Sequence, residues 1–149
     1  DVADPLGPLK IYGRSGIETR ETTGGMSAYL GTTLKDLPNL FMLLGPNTAL
    51  GHNSIIFMIE QQIKYVIACL EEMDRKQANI IEVKPAAEDA YNDKIRTELQ
   101  KMVWSEGGCK SWYIDGETGR NFTIWPGFTW KYWMKMRKPN FRNFTFSKA

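Results

Sequence analysis

The chain holds 149 residues, with 42% hydrophobic and 24% charged residues and a formal net charge of +2, proportions that fit one folded domain and exclude a disordered tail. No apolar run approaches the roughly 18 to 20 residues that a membrane-spanning helix needs. Two cysteines, Cys69 and Cys109, and one histidine, His52, are too few for a disulfide framework or a zinc site.

From Asp1 onward the first residues have neither the basic flank nor the apolar core of a signal peptide. The expectation is a cytoplasmic segment, one that reads as a piece of a longer chain. Charge is placed unevenly: from Arg120 to the end there are seven basic side chains and no acidic one. Such a stretch recruits phosphates or lies as a solvated face against the acidic body.

Residues 8–12 alternate weakly and are predicted as a short strand closed by Gly13 and Gly16. A loop of Thr and Gly follows. The apolar run 39–44, bounded by Pro38 and by Gly45-Pro46, is predicted as a strand buried on both faces, of the kind parallel sheets produce. Ile55, Ile59, Ile63, Val66, Leu70 and Met73 then recur at helical spacing, with Asn53 or Ser54 as the N-cap. Glu60 with Lys64 and Glu71 with Arg75 are the expected pairs four positions apart.

Residues 80–83 are a further strand candidate, and Pro85 opens a second helix with the stripe Ala87, Tyr91, Ile95, Leu99 and Met102. Glu88 and Asp89 in its first turn and Lys101 in its last suit the helix dipole, and Gly107-Gly108 ends it. Residues 111–115 and 121–125 flank a turn from Gly116 to Gly119 and read as a hairpin, and 128–136 as helical.

The most informative stretch is strand, then Gly45-Pro46-Asn47-Thr48-Ala49-Leu50-Gly51-His52-Asn53-Ser54, then a long helix. A loop that opens a helix presents unpaired backbone N–H groups and the positive end of the dipole, which suits a phosphate or a flavin carbonyl. An ordinary strand-to-helix connection has the same pattern, since neither a Walker loop nor a G-x-G-x-x-G fingerprint is present. His52 has no Ser or Cys partner at a recognisable spacing and reads as a loop hydrogen-bonding residue. Cys69 falls on the apolar face of its helix and reads as a buried thiol, with Cys109 the more exposed.

The block Ser27-Ala-Tyr-Leu-Gly-Thr-Thr33, the run from Leu37 to Ser54 with Ile59-Glu-Gln61, the stretch Gly107-Gly-Cys-Lys-Ser-Trp-Tyr113 and the stretch Asn121-Phe-Thr-Ile-Trp-Pro-Gly-Phe-Thr-Trp130 together closely resemble the C-terminal part of flavin-containing monooxygenases of the Baeyer-Villiger type. The resemblance runs from residue 1 to about 138. It implies an α/β fold, the C-terminal portion of a Rossmann-like FAD-binding domain with two main helices and short strands. The N-terminal FAD half and the NADPH domain would lie outside residues 1–149. It also implies an enzyme that binds FAD and NADPH, captures O2 as a C4a-peroxyflavin and inserts one oxygen atom beside a ketone carbonyl. Relatives oxygenate amines or sulfides, which is the alternative reading.

By the same resemblance, Asp1 ends the motif at which the chain returns from the NADPH domain. Gly45, Pro46, Asn47, Leu50, His52, Asn53, Ser54 and Ile55 would line the flavin ring, with Leu50 or His52 toward the substrate. Trp112 matches a tryptophan near bound NADP, or else is a core aromatic. The glycine fingerprints that hold both pyrophosphates do not occur in these residues, so no catalytic residue is assigned and no turnover is expected from the segment alone. Its partners are then a small-molecule ketone, amine or sulfide and O2. A buried strand at 39–44 without neighbours would expose apolar surface, so self-association is expected. The basic aromatic tail, from Trp125 to Phe146, permits a competing reading as a single-strand nucleic-acid binder; no recognised binding module accompanies it, and neither nucleic acid nor membrane is the expected partner.

Overall fold

Periodicity decides where the helices form. A computed structural model describes residues 9–19, 27–50, 54–101 and 121–148. Within them the regular elements are α1 (Ile55–Arg75), β1 (Ile80–Val83), α2 (Pro85–Gln100), α3 (Thr129–Met136), a 3-10 turn (Phe141–Asn143) and β2 (Phe144–Ser147). Asp1, His52, Asn53, Met102, Cys109, Trp112, the Gly107-Gly108 helix end and the strand 111–115 lie outside the described residues.

Helix α1 begins where its periodicity begins, but it buries a different face from the expected one. Met58, Gln61, Gln62, Tyr65 and Cys69 are buried. Ile55, Ile63 and Leu70 of the expected stripe are exposed, as are Ile56 and Ile67, while Ile59, Val66 and Met73 are half-buried. The helix is apolar on two sides, and a contact made by a polar residue selects between them. The Gln62 amide accepts from the Leu44 N–H at 2.9 Å and donates to the Gly31 carbonyl at 3.1 Å. Arg75 pairs with Glu72 at 2.6 Å rather than with Glu71.

The run 39–44 is not a strand. Asn39 and Leu44 both have positive φ, 60° and 54°, so the extended geometry is broken at each end. Leu43 and Leu44 are exposed. The Asn39 N–H donates to Ile81 and the Met42 N–H to Thr32, contacts made by a folded loop and not by a ladder. Likewise, 9–12 form no sheet: Tyr12 makes one isolated antiparallel bridge, to Glu18.

β1 forms as expected, but its partner is the antiparallel strand β2, in register Ile80↔Ser147 through Val83↔Phe144. This pair is the one sheet among the described residues. No strand forms at 121–125 either; Ile124 makes a single parallel bridge to Ala49. α2 starts with Pro85 in its first turn and buries Tyr91, Ile95 and Leu99 as expected. Glu88 is buried with them, bonded to the Ser27 hydroxyl and the Lys35 N–H.

The core lies where these pieces meet. Tyr29 packs edge-on against Tyr91 at 5.5 Å and against Phe144 at 5.9 Å between ring centroids. Its hydroxyl accepts from the Asn143 amide. In the same core, Trp125 meets Tyr132 of α3 edge-on at 5.2 Å. Edge-to-face pairs of this kind add about 0.5 to 1.5 kcal/mol beyond area burial. No helix among the described residues is long and apolar enough to cross a membrane.

Candidate functional site

The loop leading into α1 is built by close backbone approach. A side chain at Gly45 would place its Cβ 2.4 Å from the Gly31 carbonyl, and one at Gly31 would meet Thr48 at 2.1 Å. Only glycine fits at both, and Gly31 also has φ +64°. The Thr48 hydroxyl closes the turn by donating to the Gly45 carbonyl at 2.6 Å.

From there the loop is fastened to 121–125. Asn47, at φ 57°, donates its N–H to Phe122 at 2.7 Å. Its side-chain amide donates to the Asn121 carbonyl at 2.9 Å and the Ile124 carbonyl at 3.2 Å. Ala49 donates to Thr123, and Trp125 donates back to Ala49. Two stretches more than seventy residues apart are thus tied together by backbone and side-chain hydrogen bonds.

The loop gives the expected site residues the following places. Gly45, Pro46 and Asn47 shape and pin the loop; Pro46 and Asn47 are buried, and the Asn47 amide is taken up by the 121–124 backbone. Leu50 packs against the core. Ser54 and Ile55 stand at the mouth, both exposed. Asp1, His52, Asn53 and Trp112 lie outside the described residues.

Ser54 takes the N-cap position of α1 without a side-chain capping bond, and the first turn holds no acidic residue. No acidic side chain of that turn opposes the positive end of this 21-residue helix. This end opens on a cavity of about 550 Å³ walled by Ser54, Phe57, Thr129, Trp130 and Trp133. Phe57 and Thr129 were not singled out from the sequence, because nothing in a linear reading sets the start of α3 beside the start of α1. Gln62, which ties α1 to the loop, was also missed; its signal was a polar residue at helical spacing within Met58, Tyr65 and Cys69. Backbone donors at one end and indole faces around them suit a flat, electron-rich ligand.

No protein-family model matches the chain. A Baeyer-Villiger monooxygenase of Pseudomonas aeruginosa is 47% identical over 130 residues, which is 87% of this chain and 25% of that protein. A second, from Streptomyces coelicolor, is 37% identical over 131 residues, with the same shares. The chain thus spans about a quarter of the length of these curated relatives. Among solved structures, cyclohexanone monooxygenase from Rhodococcus sp. Phi1 bound to NADP+ superposes with a TM-score of 0.80 at 22% identity, covering 99% of this chain and 28% of that one. Steroid monooxygenase bound to NADP gives 0.81 at 24%, covering 97% and 28%. These likenesses show the fold.

Proposed function

We propose, for a chain whose sequence matches Baeyer-Villiger monooxygenases over about a quarter of their length and whose fold matches cyclohexanone and steroid monooxygenases, that residues 1–149 form the C-terminal portion of an FAD-binding domain in such an enzyme. The enzyme uses FAD, NADPH and O2 to convert a ketone into an ester or lactone. The observation that carries the reading is the start of α1, with no acidic residue in its first turn, facing an indole-walled cavity and set by a loop pinned to 121–125.

The residues present fit a flavin. Its carbonyl edge is an acceptor, and the donor set here consists of backbone N–H groups at a positive helix end whose first turn holds no acidic residue. Ser54 and Ile55 would hold that edge, while Phe57, Trp130 and Trp133 exclude water beside it. When bound, the flavin supplies hydride acceptance and oxygen activation. The protein's contribution is to position the ring and to favour negative charge at the carbonyl edge through the dipole.

The exposed apolar face of α1 supports the same reading. Ile56, Ile63, Ile67 and Leu70 lie on one side of the helix, away from the core, which is how a helix reads when it is covered on both sides. The relatives are about four times as long as the matched segment and have chain to cover it. The proposal includes a cytoplasmic location, a reducing compartment in which a thiol such as Cys69 stays free.

Replacing the matching segment of the Pseudomonas aeruginosa relative by this chain tests the proposal. The hybrid should bind FAD, oxidise NADPH and yield ester or lactone from ketones. Ser54→Asp, which sets a carboxylate at the helix start, should weaken FAD binding roughly tenfold. A folded hybrid that holds FAD yet oxygenates only amines or sulfides would transfer the reading to heteroatom chemistry. One that folds without holding FAD would overturn it.

A further inference from the structure

Basic side chains gather at one place on the surface. Lys131 and Lys135 of α3 face Lys94 of α2 and Lys101 at its C-cap around a cavity of about 620 Å³, in which Glu98 is the one acidic wall residue among the described residues. The grouping follows from helical spacing. Positions 94, 98 and 101 share a face of α2, and 131 and 135 share a face of α3.

None of the four lysines belongs to an ion pair among the described residues. Lys131 and Lys135, four apart on α3, repel each other, and across the concavity stand Lys94 and Lys101, whose charge Glu98 between them offsets only in part. Lys135 registers this, its pKa pulled down by burial and by Lys94, with Glu98 opposing. Concave walls concentrate the surplus positive field. Trp130, 55% exposed, closes one side of the space, with the Lys131 ammonium 5.8 Å from its ring centroid.

We infer that the cavity between α2 and α3 is a binding site for a small nucleotide, its phosphates among Lys94, Lys101, Lys131 and Lys135 and its base against Trp130. Ammonium groups are compact point charges that suit the spread negative charge of a diphosphate, and among the described wall residues no arginine fork selects a planar carboxylate. The volume lies in the range of small-ligand pockets. An exposed indole is a stacking surface for any base. Glu98 opposes the phosphates and sets an upper limit on affinity.

Titration of the full chain with ADP, followed by tryptophan fluorescence, should show saturable quenching that weakens as salt rises. Lys94→Gln with Lys135→Gln should raise the Kd for ADP roughly tenfold or more. Glu98→Gln should lower it, and Trp130→Ala should weaken ADP while leaving inorganic pyrophosphate unaffected. Circular dichroism establishes that each variant is folded. The proposal is overturned if ADP gives no response, if the double lysine variant binds ADP unchanged, or if pyrophosphate matches ADP in the unaltered chain. A single-stranded oligonucleotide that binds far more tightly per phosphate than ADP would also overturn it, in favour of a nucleic-acid surface.

Discussion

Tyr132 of α3 donates its hydroxyl proton to the backbone carbonyl of Leu30, 3.0 Å away and 102 positions earlier. Leu30 is buried and held at φ 56°, a conformation that a leucine adopts at a cost. The phenol thus secures a strained turn of the loop on which Gly31 and Gly45 meet.

Tyr65 offers the contrast. Its hydroxyl is buried with no hydrogen-bond partner among the described residues, and burial holds its pKa well above the ordinary phenol value. The same substitution should therefore act in opposite directions. Tyr132→Phe should lower stability by about 1 to 2 kcal/mol, and Tyr65→Phe should leave it unchanged or raise it by about 1 kcal/mol. Urea denaturation of the two variants checks this; equal losses would refute the distinction.

Glu88 predicts a pH dependence. Its carboxylate accepts the Ser27 hydroxyl at 3.0 Å and the Lys35 N–H at 2.6 Å. Burial nevertheless raises its pKa, with those bonds and the Lys35 charge opposing and Asp89 adding to the rise. A carboxyl whose folded pKa lies above its unfolded one contributes stability that is fully present below the unfolded value and is lost as pH rises through the folded value. Glu88→Gln should flatten the stability profile from the ordinary carboxylate range upward. Glu88→Ala, which leaves the Lys35 N–H unpaired, should cost about 2 to 3 kcal/mol at neutral pH. Thermal melts across that pH range read both effects.

Burial in the core pushes the Cys69 thiol up to about 12. At pH 8 its thiolate fraction is then roughly one in ten thousand, and alkylation should be correspondingly slow. With iodoacetamide and peptide mass mapping, the Cys69 peptide should stay unlabelled in buffer and become labelled in urea. Rapid labelling in buffer would show that α1 opens readily around position 69.

The uncovered side of α1 should make the isolated chain associate. Ile56 is 67% and Ile67 49% exposed. Ile56→Lys with Ile67→Glu should shift sedimentation toward monomer while changing stability by about 0.5 kcal/mol or less, as for surface positions away from the core. A large loss of stability would mean that this side already packs within the chain.

How far the sequence foretold these features differs by element. The helices were legible because 3.6-residue periodicity is a local property, and β1 and the start of α2 were legible from a short apolar run and Pro85. The buried face of α1 was not, since isoleucines occupy one side and Met58, Tyr65 and Cys69 another; the choice falls to Gln62, whose acceptor and donor come from residues 31 and 44. The run 39–44 misled because a short apolar stretch has no period, and the left-handed residues at its ends cannot be read from composition. β2 was hidden in the basic aromatic tail by its brevity and its distant partner. For the candidate site, the resemblance pointed to the loop and to Ser54, which lines the cavity, whereas the walls Phe57 and Thr129 depend on tertiary assembly.

The pairing of β1 with β2 also bears on how the chain is made. Thr145 bonds across the ladder to Glu82, 63 positions earlier. During synthesis both long helices emerge first, and Ile81 and Val83 must wait for the tail before their edge is closed. In that interval an unpaired apolar strand stands open to other chains. Yield in the cell should therefore depend on how quickly residues 144–147 leave the ribosome, and a translational pause placed shortly before them should favour aggregation.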